Sequence, residues 1–315
     1  MSPNEQLVYE AYRILLNRGP DPIGAEYWKK SLDEGLSRDQ LLSAIIASDE
    51  FNAHRPAWYD TGKWGKLNKL NADITISLPF GGRFVGPVKD TSVFSTILEE
   101  EGHYEPHVTK FLTDNLHEGD TFVDGGANLG YFTILGSRLV GPEGRVIAFE
   151  PMPINHEYCE KNIALNKLNN VRLYNNGLWD KPEKKEIMIP SAFYAGAHFG
   201  KSNAIERKAL IECIPLDQMN LDPDVIKMDI EGAEPMALRG MLRTLKKSKP
   251  LIVLELNRSC LRTFYGLDTQ DIWNPLKAAG YEISVLSNDI KRVDSIEQLN
   301  AICSPETLVD LIAFA

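Results

Sequence analysis

Three segments of this 315-residue chain bring together residue types that can do chemistry. The first is VDGGANLGYFT at 123–133. An apolar run ends on Asp124, a glycine-rich turn follows, and a helix is expected from about Gly130. Glycines let a backbone approach a ligand closely, and a helix N-terminus offers unpaired N–H groups. The spacing is G-G-x-x-x-G rather than G-x-G-x-x-G, and the lysine and hydroxyl residue of a phosphate-binding loop are absent. An acidic residue before such a turn suits a ligand with a cationic end better than a pyrophosphate.

The second segment is IAFEP, with Glu150 at a strand end a little over twenty positions after the turn. That is where an α/β sheet grips a ribose diol, because a carboxylate can accept from two hydroxyls at once. The third is KMDIEGAE at 227–234, with Asp229, Glu231 and Glu234 at the junction of a strand and a helix. Glu234 complements the helix dipole. Asp229 and Glu231 are expected at the edge facing the ligand crevice, where like charges need a cation, a substrate donor or a proton to offset them. The next strand carries Glu255 and Asn257 to the same edge. Asp229, Glu255 and Asn257 could therefore ligate Mg²⁺ or another hard cation, or equally accept hydrogen bonds from a substrate.

Positioning these groups requires a sheet. Strands read at 121–125, 145–150, 171–175, 225–230 and 251–256, with helices at 130–140, 154–166, 234–246 and 270–279. This alternation is the signature of a parallel α/β sheet. Runs at 281–287 and 307–315 are expected as late strands joined by a polar turn with little room for a helix, so that one closes the sheet antiparallel. KKEIMIP and ALIECIP flank 190–208, which reads as a loop or lid over a site. His198 within it is the titratable member best able to assist proton transfer.

Residues 1–60 have helical periodicity and no strand pattern. Asp21 before Pro22 is an N-cap with proline at the first position, and Ser37 with Gln40 a capping box. The expected organisation is a helical module at 1–60, a basic linker at 61–73 and an α/β domain at 74–315. The latter opens with a hairpin at ITISLPFGGRFVG and helical residues 92–116 broken near Gly102.

The composition is that of an ordinary globular protein, 43% hydrophobic and 25% charged, with no apolar run near the ~20 residues that cross a bilayer. A net charge of −10 does not favour nucleic acid or an anionic membrane. Cys159, Cys213, Cys260 and Cys303 are far apart, so each is expected to pack as a small apolar residue, reduced in a cytoplasm. No basic-then-apolar leader opens the sequence, which also points to the cytoplasm.

In the order YEP (104–106), FVDGGANLGYFT, AFEP, IPLDQM (214–219), IKMDIEGAE and PLIVLEL, the chain resembles FkbM-type S-adenosylmethionine-dependent methyltransferases over residues 74–315. The resemblance implies a Rossmann-like class I methyltransferase fold: a mostly parallel sheet with a late antiparallel strand, preceded here by a small all-α domain. It implies that Asp124, Gly126, Asn128 and Gly130 line the methionine end of the cofactor, with Gly125 and Pro151 in the same set. Glu150 would take the ribose and Leu178 or its neighbours the adenine. Glu105 would approach the amino-acid moiety or brace the glycine loop. Asp229, also counted with the cofactor set, and Glu231 would face the reacting group. The consecutive Gly125 and Gly126 are a minor departure from the family pattern. A metal is not implied by the resemblance alone.

The stretch LLNRGPDPIGAEYW…LLSAIIASDEF (15–51) resembles a helical domain of unknown function related to phycobilisome linkers. This implies a module that binds another protein or a glycan. The acceptor is expected to be an alcohol oxygen on a sugar, a glycan or a hydroxylated natural product. The chain has neither the N/D-P-P-Y/F clamp of amine methylation nor the Pro-Cys nucleophile of cytosine C5 methylation. Two rivals remain: a nicotinamide-dependent oxidoreductase, which would want the missing G-x-G-x-x-G, and a non-catalytic binding module.

Overall fold

A computed structural model describes residues 1–16, 18–53, 73–87, 90, 92–189, 207–287, 289–304 and 308–315. The chain forms two compact units, Met1–Tyr104 and Glu105–Ala315. The pattern change at 74 therefore precedes the division in packing.

The first unit begins with α1 (Pro3–Leu15), α2 (Pro22–Asp33), α3 (Arg38–Ile46) and α4 (Asp49–Ala53). Asp21 caps α2 by accepting from the Gly24 amide at 2.9 Å, and Ser37 and Gln40 form the expected capping box of α3. Leu15, Leu41, Leu42 and Phe51 are buried in this unit. A hairpin of β1 (Asp73–Ser77) and β2 (Arg83–Pro87) turns at Gly81 and Gly82, both with positive φ. Among the described residues it forms a two-stranded sheet of its own, and the Thr75 amide donates to the Ser43 hydroxyl of α3 at 2.9 Å. The hairpin and α5 (Val93–Glu99) thus belong by packing with the helices.

The second unit runs α6 (Pro106–Asn115), β3 (Thr121–Gly125), α7 (Tyr131–Leu139), β4 (Arg145–Phe149), α8 (Pro153–Leu165) and β5 (Val171–Tyr174). It continues with β6 (Gly177–Leu178), β7 (Glu183–Ile189), β8 (Arg207–Ile214), β9 (Val225–Met228), α9 (Glu234–Arg239), α10 (Leu242–Lys247) and β10 (Leu251–Asn257). After the short α11 (Arg258–Cys260) and a π-helical turn at Leu261–Tyr265 come α12 (Gln270–Ala278), β11 (Glu282–Leu286), β12 (Lys291–Val293), α13 (Ile296–Ile302) and β13 (Leu308–Phe314).

Eight of these strands make one sheet in the order β12-β11-β13-β10-β9-β3-β4-β5. The run from β10 to β5 is parallel, and β13 is antiparallel to both β10 and β11. This is the Rossmann-like architecture the sequence implied, with the late antiparallel strand in place. The chain moves outward from β3 to β4 and β5, then returns to β9 on the other side of β3. The β3/β9 pair is thus the switch point, where a crevice opens at the strands' carboxyl ends. Val123, Ile226, Met228, Leu254 and Leu256 pack the sheet's interior, each contributing about 1.5–3 kcal/mol by burial.

Three expectations need correction. The helix at 234–246 is two helices, because the chain breaks at Gly240, where a Cβ would overlap the Trp179 carbonyl oxygen. The connection between the late strands is not a bare polar turn but holds β12 and α13. There the Ser295 hydroxyl caps α13 by accepting from the Gln298 amide at 3.2 Å, and Leu299 is buried. The last two residues of 190–208 belong to β8, which joins β6 and β7 in a separate three-stranded sheet. The rest of that segment, with His198, and nearly all of the expected linker lie outside the described residues.

Candidate active site

The glycine turn is fixed to both strands beside it. The amides of Gly126 and Ala127 donate to the Phe149 carbonyl of β4 at 2.9 Å, and the Asp229 amide after β9 donates to the Gly125 carbonyl at 3.0 Å. Gly126 has φ 80°, and a Cβ there would overlap the Asp229 carbonyl oxygen, so only glycine lets the turn and the β9 end approach this closely. Asn128 also takes a left-handed conformation, with its side-chain oxygen accepting from the Leu129 amide at 2.8 Å. Gly130 precedes α7 with its Cβ position 3.0 Å from the Cys159 sulfur. Leu178 is buried, its Cδ1 3.0 Å from the Cβ position of Gly125, so it packs beneath the turn. Pro151 is half-buried between Glu150 and α8.

Glu150 follows β4 and is held by the turn itself. Its carboxylate accepts from the Asn128 amide at 2.7 Å and from the Met152 amide at 2.8 Å. Each oxygen keeps a further lone pair for a ligand hydroxyl. Burial pushes this carboxyl up to about 7, against the pull of the two amides. Asp124 is wholly buried. One of its oxygens accepts from the Thr133 hydroxyl at 2.7 Å; the other lies 3.9 Å from the Lys227 ammonium and has no hydrogen-bond partner among the described residues. Burial raises the Asp124 carboxyl, while Lys227 and the Thr133 hydroxyl oppose the shift.

On the other side of the switch point, the ends of β9 and β10, the start of β13 and the first turn of α6 enclose a small cleft. Glu105, Lys227, Asp229, Glu255 and Asp310 line it, with Val108, Met228, Val253 and Leu254. Glu105 is at the N-terminus of α6 with φ 40°. Asp229 is partly exposed, and its carboxylate is 3.6 Å from the Lys227 ammonium. Glu255 and Asp310 are partners in the β10–β13 register. Burial, and then the negative charge of Asp229, Glu231, Glu234 and Glu105, drives the Glu255 carboxyl well above its usual range. Asp310 is raised to about 6 by burial and by Asp229.

Glu231 has φ 56°, and the half-buried Cys260 thiol approaches its carboxylate at 3.7 Å; the other three cysteines are buried as expected. Glu234 does more than complement a dipole. It is buried, accepts from the Ile230 amide at 2.9 Å and is pushed up to about 8 by burial. The Asn257 side-chain oxygen caps α11 by accepting from the Cys260 amide at 3.1 Å. Among the described residues no group of three or more His, Cys, Asp and Glu is arranged to hold a metal.

Two members of the site escaped the sequence reading. Lys227 stands in the otherwise apolar buried strand V-I-K-M, and a charge in such a strand needs a partner, so its signal was present. Asp310 sits in an equally apolar run, but only the antiparallel register sets it opposite Glu255. The structure brings Asp124, the glycine turn, Glu150 and Asp229 to one switch point.

Comparison with known proteins agrees with this geometry. A model of the Methyltransferase FkbM domain matches residues 124–283, and one of a Domain of unknown function (DUF4214) matches residues 2–55. Methyltransferase sdnD of Sordaria araneosa is 28% identical over 165 residues, 40% of this chain and 62% of that protein. Methyltransferase 1 of Beauveria bassiana (strain ARSEF 2860) is 25% identical over 147 residues, 39% of this chain and 59% of that one. The matches thus span about three fifths of these curated relatives. Among solved structures, methyltransferase FkbM from Methylobacillus flagellatus KT aligns with a TM-score of 0.40 at 14% identity, over 91% of this chain and 71% of that one. No helix among the described residues is long and apolar enough to cross a membrane. With the family's domain matched from Asp124 across the glycine turn, Glu150 and the β9 and β10 strand ends, the chain belongs to the FkbM methyltransferase family.

Proposed function

We propose that this chain uses S-adenosylmethionine to methylate an oxygen acceptor, a hydroxyl of a sugar, a glycan or a hydroxylated natural product. The observation that carries the reading is Glu150, oriented by the Asn128 and Met152 amides at the rim of the glycine turn. A carboxylate fixed in this way is suited to a ribose diol, and the strained turn beside it suits close approach by the rest of the cofactor. Asp124, being wholly buried, supports the turn from below through Thr133 and Lys227 rather than touching the cofactor.

The bound cofactor would supply an electrophilic methyl group on a sulfonium. The chain's task is to hold an acceptor oxygen in line with that methyl and to receive its proton. An alcohol is far from ionised at neutral pH, so a carboxylate must assist. Asp229 is partly exposed beside the turn and is the candidate to accept the hydroxyl proton at Oδ1 or Oδ2, with Glu231 orienting the acceptor. Glu105 would approach the cofactor's amino-acid end from the α6 terminus. The domain organisation is part of the same proposal: residues 1–60 act as a module that binds a protein or glycan beside a catalytic unit. Removing that module should leave methylation of a small free acceptor intact and weaken that of an assembled one.

Methyl-labelled S-adenosylmethionine offered with a panel of sugars, glycans and hydroxylated natural products tests this. The expected product is a labelled methyl ether. Label on nitrogen or carbon would overturn the oxygen assignment. Cofactor-dependent absorbance change with a nicotinamide nucleotide would favour the oxidoreductase rival. Binding of a glycan with no transfer to any acceptor would favour the binding-module rival.

A further inference from the structure

The cation that stands among these carboxylates is itself buried. Lys227 is 4% exposed, in the middle of a strand whose four residues are all buried. Its ammonium stands 3.9 Å from Asp124 on β3 and 3.6 Å from Asp229 at the end of its own strand. On the α7 side it lies over the Phe132 ring, 4.8 Å from the centroid. Glu105 of α6, Glu255 of β10 and Asp310 of β13 face it from the remaining elements, with His107 of α6 acting on Asp310. An ammonium in such a place is costly unless several anions compensate it, and those anions are costly without it.

We propose that Lys227 is a positioning residue of the methyl-transfer site, a buried ammonium that offsets the carboxylates at the Asp124 and Asp229 strand ends and holds them in register across the switch point. As a reaction role it rests on the methyltransferase reading above; as an electrostatic role it does not. The ammonium ties the support of the glycine turn to the carboxylate proposed to meet the acceptor. A shift of either strand end is thereby felt by the other. Arginine could carry the same charge but not the same shape. Methionine keeps the aliphatic volume and loses the charge.

The test compares thermal unfolding of wild type, Lys227→Met and Lys227→Arg in the full chain without cofactor, at pH 5.5 and pH 8. Without the ammonium, buried carboxylates must be ionised beside one another at the higher pH, and protonation relieves this at the lower. A carboxylate whose folded pKa is raised loses its stabilising contribution as pH rises. The gap between wild type and Lys227→Met should therefore be wider at pH 8 than at pH 5.5, by roughly 5–10 °C. Lys227→Arg should recover much of it. A gap equal at both pH values would mean that Lys227 only fills space, and would overturn the proposal. If Lys227→Met folds at neither pH, the double variant Lys227→Met/Asp124→Asn decides: restored folding supports the proposal and continued failure overturns it. Loss of kcat in Lys227→Met, regained in Lys227→Arg, would then extend the role to turnover. Absence of any turnover in wild type would count against the methyltransferase reading and leave the unfolding result standing.

Discussion

The two sides of the switch point handle their carboxylates in opposite ways. Beside β3 and β4, Glu150 is bonded on both oxygens by backbone amides, and Asp124 is bonded by the Thr133 hydroxyl. Beside β9, β10 and β13, Asp229, Glu255 and Asp310 crowd around the ammonium of Lys227. The first side is built from a turn and the strand next to it, so its geometry is set before a ligand arrives. The second draws on residues more than eighty positions apart in the chain, and its like charges are compensated only in part. A site that binds needs the first kind of order. A site that must take up a proton or orient a polar acceptor gains from the second.

The largest effect that would sharpen this contrast is expected at Asp229. Asp229→Asn should lower turnover by about 10²–10⁴-fold while cofactor affinity stays near that of wild type. Steady-state kinetics beside a binding titration would check this, and unchanged turnover would remove Asp229 from the chemistry.

Gly126→Ala probes the first side. At φ 80° and against the Asp229 carbonyl, the added methyl should cost about 2–4 kcal/mol of stability and abolish cofactor binding. Chemical denaturation measures it. A variant as stable as wild type would mean that the turn is looser than described.

A pH series separates the sides further. Glu150 is raised from its usual 4.5 to about 7 in the free protein. Its contribution to stability is thus present below about 4.5 and is lost as pH rises through about 7. A ribose diol needs the ionised form, so cofactor affinity should run the other way, falling roughly tenfold from pH 8 to pH 6. Affinity independent of pH over this range would contradict the assignment of Glu150.

The smallest effect concerns Asn257. As the cap of α11, its replacement by alanine should cost ~1 kcal/mol of stability and leave turnover insensitive to chelators. Chelator-sensitive turnover restored by Mg²⁺ would instead return the β10 end to the metal reading.

The same division explains what could be read from the sequence. The glycine turn, Glu150 and the β9 junction were legible because each rests on local spacing between a strand and the next helix. Leu178 entered only through the family resemblance, as an adenine contact, and its packing against Gly125 is a matter of depth that spacing does not carry. Asp310 was invisible because its meeting with Glu255 depends on an antiparallel register set by two distant strands. Asn257 also caps α11, a local role that its place at a strand end does not reveal. The hairpin at β1 and β2 looked like the opening of the α/β domain, because alternation reveals a strand but not which body it packs against.

Binding of S-adenosylmethionine by the Gly125–Gly130 turn and Glu150 is tested most directly by isothermal calorimetry of the full chain with S-adenosylhomocysteine. One saturable site is expected in the wild type. Affinity should be at least ~10-fold weaker in Glu150→Ala, whose lost charge-assisted hydrogen bonds are each worth about 1.5–3 kcal/mol before water compensates. No heat of binding in the wild type, or equal affinity in the folded variant, would contradict it.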